Sequence, residues 1–320
     1  GDYESAEPML RRSLAIAEQA LGPDHPEMGV RLNNLGRLLG AKGDYEAAEP
    51  ILRRSLAIDK QALGPEHPKT GISLSNLGCL LYAKGDYETA EPLLRQALAI
   101  TEQALGADHP ETAIRLNNLG LLLKDVGNYE AAEPLYRRAL AITEQALGPN
   151  HPKTGIRLNN LGRLLQDKGD YQTAVLLYRR SLAITEQDLE VDHSDTRSNI
   201  FNLARCLEEL GDLEEAEKFY RLELLSCEKE LGKDDPETHY SMHNLGCFLC
   251  EAEKYDEAEL MLREVIDLKE KKNGNDSTEL VDSLSALGLT LTKKAIYEEA
   301  LQVYQRALAI STKELGENHS

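Results

Sequence analysis

The sequence predicts an all-α chain built as an α-solenoid of stacked helix pairs, and three observations carry that prediction. The triplet Gly-Asp-Tyr stands at Gly1, Gly43, Gly85 and Gly169, with Gly-Asn-Tyr at Gly127, so each step is 42 residues or a multiple of it. In the same frame Ala6, Ala48, Ala90, Ala132, Ala174, Ala216, Ala258 and Ala300 never vary. Within each period two stretches repeat an apolar face at helical spacing, separated by glycine. One such unit cannot bury its apolar face alone, so the copies must stack.

The first helix of a unit runs, in one copy, from about Pro26 to Ala41. Leu32, Leu35, Gly36 and Leu39 fall at i, i+3, i+4 and i+7, which is one face. Asp24-His25-Pro26 supplies a polar start with proline at the first helical position. Gly43 supplies the positive φ of a helix end, and Asp44 caps the next helix. That second helix covers about Tyr45 to Ala62, turns Tyr45, Ala48, Leu52 and Leu56 inward, and stops at Leu63-Gly64-Pro65. The chain thus reads as one array over 1–320: a second helix at 1–21, then pairs at about 26–63, 68–105, 110–147, 152–189, 194–231, 236–272 and 278–315. A glycine inside a helix costs about 1 kcal/mol against alanine. Its return at Gly36, Gly78, Gly120, Gly162, Gly246 and Gly288 therefore predicts a close helix contact, with the invariant alanine opposite and Tyr45 and its equivalents beside it. Pro8, Pro50, Pro92 and Pro134 lie just inside second helices and predict a bend there.

Leu35-Gly36, Gly43, Tyr45 and Ala48 stand at the spacing of the tetratricopeptide motif. The longer unit, Leu-Asn-Asn-Leu-Gly followed by Ala-Glu-Pro-Leu and Leu-Gly-Pro-Asp-His-Pro, resembles the 42-residue variety found in kinesin light chain and nephrocystin-3. The resemblance covers the whole chain. It implies a right-handed superhelix of tetratricopeptide-type helix pairs, with the first helices lining a concave groove that binds a peptide or a partner helix. Two departures stand out. The motif's aromatic near the start of the first helix is Leu32 here, and its inter-helix glycine is Glu253 and Ala295 in the last two units, which leaves the geometry of those turns open.

Charge and composition narrow the partners. The formal charge is -19, and it is uneven: residues 1–160 hold 17 Lys and Arg against 21 Asp and Glu, and residues 161–320 hold 19 against 34. An acidic surface repels phosphate, so neither nucleic acid nor an anionic membrane is an expected partner. No apolar run reaches a membrane span, and no signal peptide opens the chain. Five cysteines in a long helical chain read as free thiols in a reducing, cytoplasmic setting. A chain that opens on Gly1 reads as a piece of a larger protein, and the alternative to a free scaffold is a sensor arm beside an NTPase, protease or kinase domain outside these residues. Without capping helices, the two end faces are candidates for head-to-tail self-association.

The candidate binding residues lie on the first helices, beside the core stripe. One column runs Asn33, Ser75, Asn117, Asn159, Phe201, His243, Ser285; its neighbour runs Asn34, Asn76, Asn118, Asn160, Asn202, Asn244. Asparagine competes with the helix backbone for hydrogen bonds, so a column of six implies a gain elsewhere. Either the amides grip an extended peptide backbone, or they tie adjacent helices together. The resemblance favours a peptide role, because an Asn matching Asn34 takes part in tetratricopeptide clamps for a terminal carboxylate. One turn on stand Arg37, Cys79, Leu121, Arg163, Arg205, Cys247 and Leu289. Arg37, Arg163 and Arg205 suit carboxylates of a partner, or else pair with Asp125, Asp167 or Glu209. Arg163 and Arg205 make the better site in this column. Ile72, Ile114, Ile156 and Leu121 add apolar contacts, and the divergent later units add Phe201 and Tyr240.

Other recurring residues read as framework. His25, His67, His109, His151, His193 and His319 fall one per unit at helix starts. The Glu7–Arg11, Glu49–Arg53 and Glu133–Arg137 pairs are i,i+4 on a solvated face. His243, Cys247 and Cys250 share one helix face, but without a turn or a fourth ligand they do not make a zinc site. No P-loop, dinucleotide fingerprint, His-Glu-x-x-His or nucleophile–base pair occurs, so neither an enzyme nor a cofactor is expected.

Overall fold

The computed structural model describes residues 3–188 and 194–315. It contains α-helices in antiparallel pairs, with no strand among the described residues. In chain order these are α1 (Tyr3–Leu21), α2 (Pro26–Ala41), α3 (Tyr45–Leu63), α4 (Pro68–Ala83), α5 (Tyr87–Leu105), α6 (Pro110–Asp125), α7 (Tyr129–Leu147) and α8 (Pro152–Asp167). They continue as α9 (Tyr171–Asp188), α10 (Ser194–Glu209), α11 (Leu213–Leu231), α12 (Pro236–Glu251), α13 (Tyr255–Asn273), α14 (Val281–Lys293) and α15 (Tyr297–Leu315). A 3₁₀ turn, Thr278–Leu280, precedes α14, where the unit has Thr278 in place of proline. The chain divides into two compact units, residues 1–164 and 165–320.

Local chemistry sets each boundary. His25, His67 and His109 cap the following helices: each Nδ1 accepts from the backbone N–H two residues on, at 3.3, 3.2 and 3.1 Å. His151 makes the same bond to Lys153 at 3.1 Å. His193 and His319 lie outside the described residues. Asp44 accepts from the Ala47 N–H at 3.1 Å, as Asp86 does from Thr89 and Asp170 from Thr173. Gly43 turns the chain at φ 82°, and the turn survives where the glycine is lost, with Glu253 at φ 60° and Ala295 at 61°. The proline-bearing second helices run through Pro50, Pro92 and Pro134 for 19 residues, as do the proline-free α11 and α13.

In the pairs α2–α3, α4–α5, α6–α7, α10–α11, α12–α13 and α14–α15 the first and second helix share the largest interface, and α3, α5, α11 and α13 then pack on the next first helix. First helices of neighbouring repeats also touch: α2 with α4, α4 with α6, and α12 with α14. Leu32, Leu35, Leu39, Ala48 and Leu52 are buried in this arrangement. The recurring glycine meets a larger residue before the alanine expected opposite it, and at Gly78 that alanine is a neighbour too, with Ala90 O at 3.4 Å from the Cβ position. A Cβ on Gly36 would meet Leu52 Cδ2 at 2.6 Å; on Gly78, Leu94 Cδ2 at 2.9 Å; on Gly120, the Tyr136 ring at 3.0 Å. The residue that forbids a side chain is thus one helical turn beyond the alanine, and it is large because the glycine makes room for it. Gly29 makes room in the same way for the carboxylate of Asp59, which is buried and accepts from Ser73 Oγ at 2.6 Å.

The outer face carries ion pairs. Arg11 binds Glu7 at 2.9 Å, Arg53 binds Glu49 at 2.8 Å and Arg137 binds Glu133 at 2.8 Å along their own helices. Arg54 reaches Glu18 at 2.7 Å and Arg138 reaches Glu102 at 2.5 Å in the preceding repeat. Solvent-exposed pairs are each worth about 0–1 kcal/mol, so this lattice sets register more than stability.

Candidate partner-binding face

In residues 26–164 the asparagine columns form a ladder. Asn76 Nδ2 donates to Asn33 Oδ1 at 2.9 Å, and Asn160 Nδ2 donates to Asn117 Oδ1 at 2.8 Å. Between them, Asn118 Nδ2 lies 3.5 Å from Ser75 Oγ and 3.3 Å from Cys79 Sγ. Each bond joins one first helix to the next, about 42 residues away in sequence, so the amides tie repeat to repeat. A net gain of about 1 kcal/mol per bond offsets the poor helix propensity. Asn159 Oδ1 is buried with no partner, and Asn34 is exposed.

Some arginines of the first helices lack the ion pairs seen on the outer face, although Arg31 pairs with Glu27 at 3.0 Å. Arg37 and Arg163 are exposed and make no ion pair among the described residues, and the half-buried Arg157 makes none either. Asp125, a predicted partner for Arg163, instead accepts from the Tyr82 hydroxyl and pairs with Lys124 at 3.1 Å. Burial opposes the charge on Asp125, but those two bonds outweigh it and hold the carboxyl below its ordinary value. Arg115 is 7% exposed, reaches Glu111 at 3.2 Å, and leaves its Nε without a partner. Neither Arg115 nor Arg157 was among the sequence candidates. Both sit one residue before the apolar stripe, at the frame position that Arg31 also holds, and an arginine there three times was the signal available.

A cavity of about 230 Å³ opens beside Arg37. Leu52 and Leu80 line it with Gly36 and Gly40, and Asn76 and Cys79 complete the rim. It exists because Gly40 stands where the next unit has Tyr82 and the one after has Lys124. The Cys79 thiol is pushed up by burial and stays protonated. Ile72 and Ile156 are exposed on the same first helices.

In residues 194–315 the same frame carries other chemistry. Phe201 replaces the ladder's acceptor, and Asn244 Nδ2 is buried without a partner. Phe201 lies 6.0 Å from the rings of both Tyr220 and Tyr240, and Tyr240 is 59% exposed. Asn202 is half-buried, and Arg205 is exposed with no ion pair among the described residues. The His243 ring touches Cys247 Sγ at 3.6 Å and Ser283 Oγ at 3.4 Å. Burial lowers the His243 pKa and raises that of Cys247 to about 11, so the contact is between neutral groups. Cys250 is buried in the core. No cluster of three His, Cys, Asp or Glu able to hold a metal occurs among the described residues.

Comparison with known proteins bears on the fold. The tetratricopeptide repeat family model matches at residues 1–61, 32–103, 80–145, 114–187 and 196–271, and a second tetratricopeptide repeat model matches at 280–320. Among solved structures, nearly identical tetratricopeptide-like repeats of a putative kinesin light chain from Podosopora anserina are 26% identical at a TM-score of 0.56. That match covers 65% of this chain and 98% of the other. BtubC (BKLC) from P. vanneervenii is 24% identical at 0.62, over 71% of this chain and 91% of that one. The apo form of RapI is 13% identical at 0.62, over 89% and 98%. No curated protein sequence matches. No helix among the described residues is long and apolar enough to cross a membrane.

Proposed function

The chain belongs to the tetratricopeptide repeat family, whose members generally serve as protein-interaction scaffolds, and from that premise we propose that it holds an extended, carboxylate-bearing segment of a partner protein against the first helices of residues 26–164. One observation carries this reading. Arg11, Arg53, Arg54, Arg137 and Arg138 of the second helices pair with glutamates, and so do Arg31 and Arg115 of the first helices, whereas Arg37, Arg157 and Arg163 make no ion pair among the described residues. A guanidinium that makes no ion pair is ready for a bidentate carboxylate, and a half-buried one gains most from it. The cavity beside Arg37 takes an apolar side chain next to that acid, an arrangement that suits an extended peptide. Phe201 and Tyr240 offer the later repeats an apolar platform for the same partner or another. The five thiols are free, which suits a reducing compartment such as the cytoplasm. Head-to-tail association rests on the exposed apolar faces of α1 (Met9, Ile16) and α15 (Leu301, Leu308), and sedimentation at rising concentration checks it.

The test begins with a pull-down that identifies a partner. The double variant Arg37→Ala/Arg163→Ala is then expected to bind it at least about tenfold more weakly with helicity unchanged, since a hydrogen bond to a charged group contributes about 1.5–3 kcal/mol. Undiminished affinity in the charge-reversed Arg37→Glu/Arg163→Glu protein, with circular dichroism intact, sinks the reading.

A further inference from the structure

A buried carboxylate stands in one repeat junction of each compact unit. Asp59, on α3, is 4% exposed, and Glu223, on α11, is 8% exposed. Each meets a serine of the following first helix. Ser73 Oγ donates to Asp59 Oδ2 at 2.6 Å, and Ser241 Oγ donates to Glu223 Oε2. The two serines hold the same frame position, and acid and serine arrive together. Where that position is Arg31, Arg115 or Arg157, the preceding second helix presents small neutral residues instead: Ser13 and Ala17, Ala97 and Thr101, or Ala139 and Thr143.

Neither carboxylate has an ion pair among the described residues. Glu223 Oε1 accepts from the Cys227 thiol at 3.3 Å, so its bonds come from neutral donors. The charged groups that face Glu223 are Arg197 from α10 and Glu237 from α12. Arg197 is itself engaged by Glu230 and, at 3.0 Å, by Glu237. Asp59 faces Lys69 and His67 of α4, and α2 presents Gly29 to it, where a Cβ would meet Oδ1 at 2.5 Å. A carboxylate enclosed in this way is costly while it is charged and tolerable once it is neutral. Burial outweighs the hydroxyl bonds and pushes both carboxyls above their ordinary values.

We propose that these two junctions are proton-operated clasps, in which protonation of Asp59 and of Glu223 tightens α3 on α4 and α11 on α12. The serine both donates and accepts, so it keeps its bond when the acid gains a proton of its own. A carboxyl whose folded pKa lies above its unfolded one binds the proton more tightly in the folded state. The clasp is therefore fully closed below the unfolded value, and its contribution is lost as pH rises through the folded value.

The experiment uses the full chain labelled with ¹³C at the side-chain carboxyls, with the two signals assigned through Asp59→Asn and Glu223→Gln. Shifts are followed from about pH 5.5 to about pH 9, above the ordinary carboxylate range. Both signals are expected to titrate there, while exposed acids are already ionised. Amide hydrogen exchange of α12, corrected for its intrinsic pH dependence, is expected to quicken through the Glu223 midpoint in the wild type. Glu223→Gln, permanently neutral, is expected to exchange more slowly at the alkaline end, about tenfold for each unit by which the folded midpoint is raised, and to match the wild type toward the acid end. The amides of α4 follow Asp59 and Asp59→Asn in the same way and are unaffected by Glu223→Gln. A carboxyl already ionised at the acid end, a reading that needs only the wild type, overturns the clasp at its junction. Titration with no pH-dependent change in wild-type exchange shows a buried acid that does not grip the junction, and overturns it equally.

Discussion

Residues 26–164 and residues 194–315 are built on one repeat, yet their first helices present opposite chemistry. In the earlier stretch Asn76 and Asn160 find acceptors in Asn33 and Asn117, and Arg37, Arg157 and Arg163 make no ion pair among the described residues. In the later stretch Phe201 takes the acceptor's place, Asn244 is orphaned, and aromatic rings fill the space. The acids Glu208, Glu209 and Glu251 crowd there, and burial together with the two like-charged neighbours pushes the Glu208 carboxyl above its ordinary range. The difference teaches how a repeat protein acquires specificity. The frame fixes where each side chain points, so a single replacement swaps the chemistry of one position without moving the backbone. Lys124, Gln166 and Glu208 show this in one column: the same tyrosine reach meets a donor, a neutral acceptor and a carboxylate in turn.

That column gives the largest expected effect. Tyr220→Phe removes the donor to a half-buried Glu208 with like-charged neighbours, and is expected to destabilise by about 1.5–3 kcal/mol, the range for a hydrogen bond to a charged group. Tyr178→Phe loses a neutral acceptor and should cost about 1 kcal/mol. Tyr136→Phe loses no bond and should cost nothing. Urea unfolding of the three variants measures the gradient, and equal costs would break the comparison.

The ladder gives the next effect. Asn160→Ala removes a 2.8 Å amide bond and leaves the Asn117 carbonyl unmatched, an expected loss of about 1–2 kcal/mol. Asn244→Ala removes an amide whose N–H₂ bonds nothing, and is expected to be neutral or slightly stabilising. These two asparagines are indistinguishable in the sequence frame, so a matched loss at both would show that ladder bonds do not set their contribution.

Periodicity made the fold legible, because helix length, helix ends and core stripe all repeat with the same period, and every local signal agrees with the next. Asp44 and Gly43 could be placed as cap and turn from their neighbours alone. The candidate site was legible only in part. Arg53 and Arg37 look alike along the chain; what separates them is that Arg53 finds Glu49 within its own helix and Arg37 makes no ion pair among the described residues. Spacing identifies the face opposite Gly36 but not which residue on it reaches furthest, and Leu52 comes nearer than Ala48. Arg115 and Arg157 escaped notice because a position next to a leucine stripe reads as framework until the side chain is seen lying buried with an unmatched Nε.

The turns between helices offer the smallest effect and the sharpest control. Early units turn on glycine, at φ 82° for Gly43 and Gly85 and 78° for Gly127; the last two turn on Glu253 at 60° and Ala295 at 61°. The turn itself does not change. The Asp44 N–H reaches Leu39 O at 3.0 Å, and the Lys254 and Ile296 N–H groups reach Leu249 O and Leu291 O at 2.8 and 2.9 Å. The left-handed region costs a residue with a Cβ about 1–2 kcal/mol. Replacing it with glycine removes that strain but loosens the unfolded chain, which takes back about 0.4–1 kcal/mol. Glu253→Gly and Ala295→Gly are therefore each expected to stabilise by about 0.5–1 kcal/mol, and Gly127→Ala to destabilise by a similar amount, in thermal melts of the full chain. Stacking against the neighbouring repeats is what holds Glu253 and Ala295 in that conformation. A loss of stability in both glycine variants would mean instead that the turn residues, and not the packed helices, dictate the geometry.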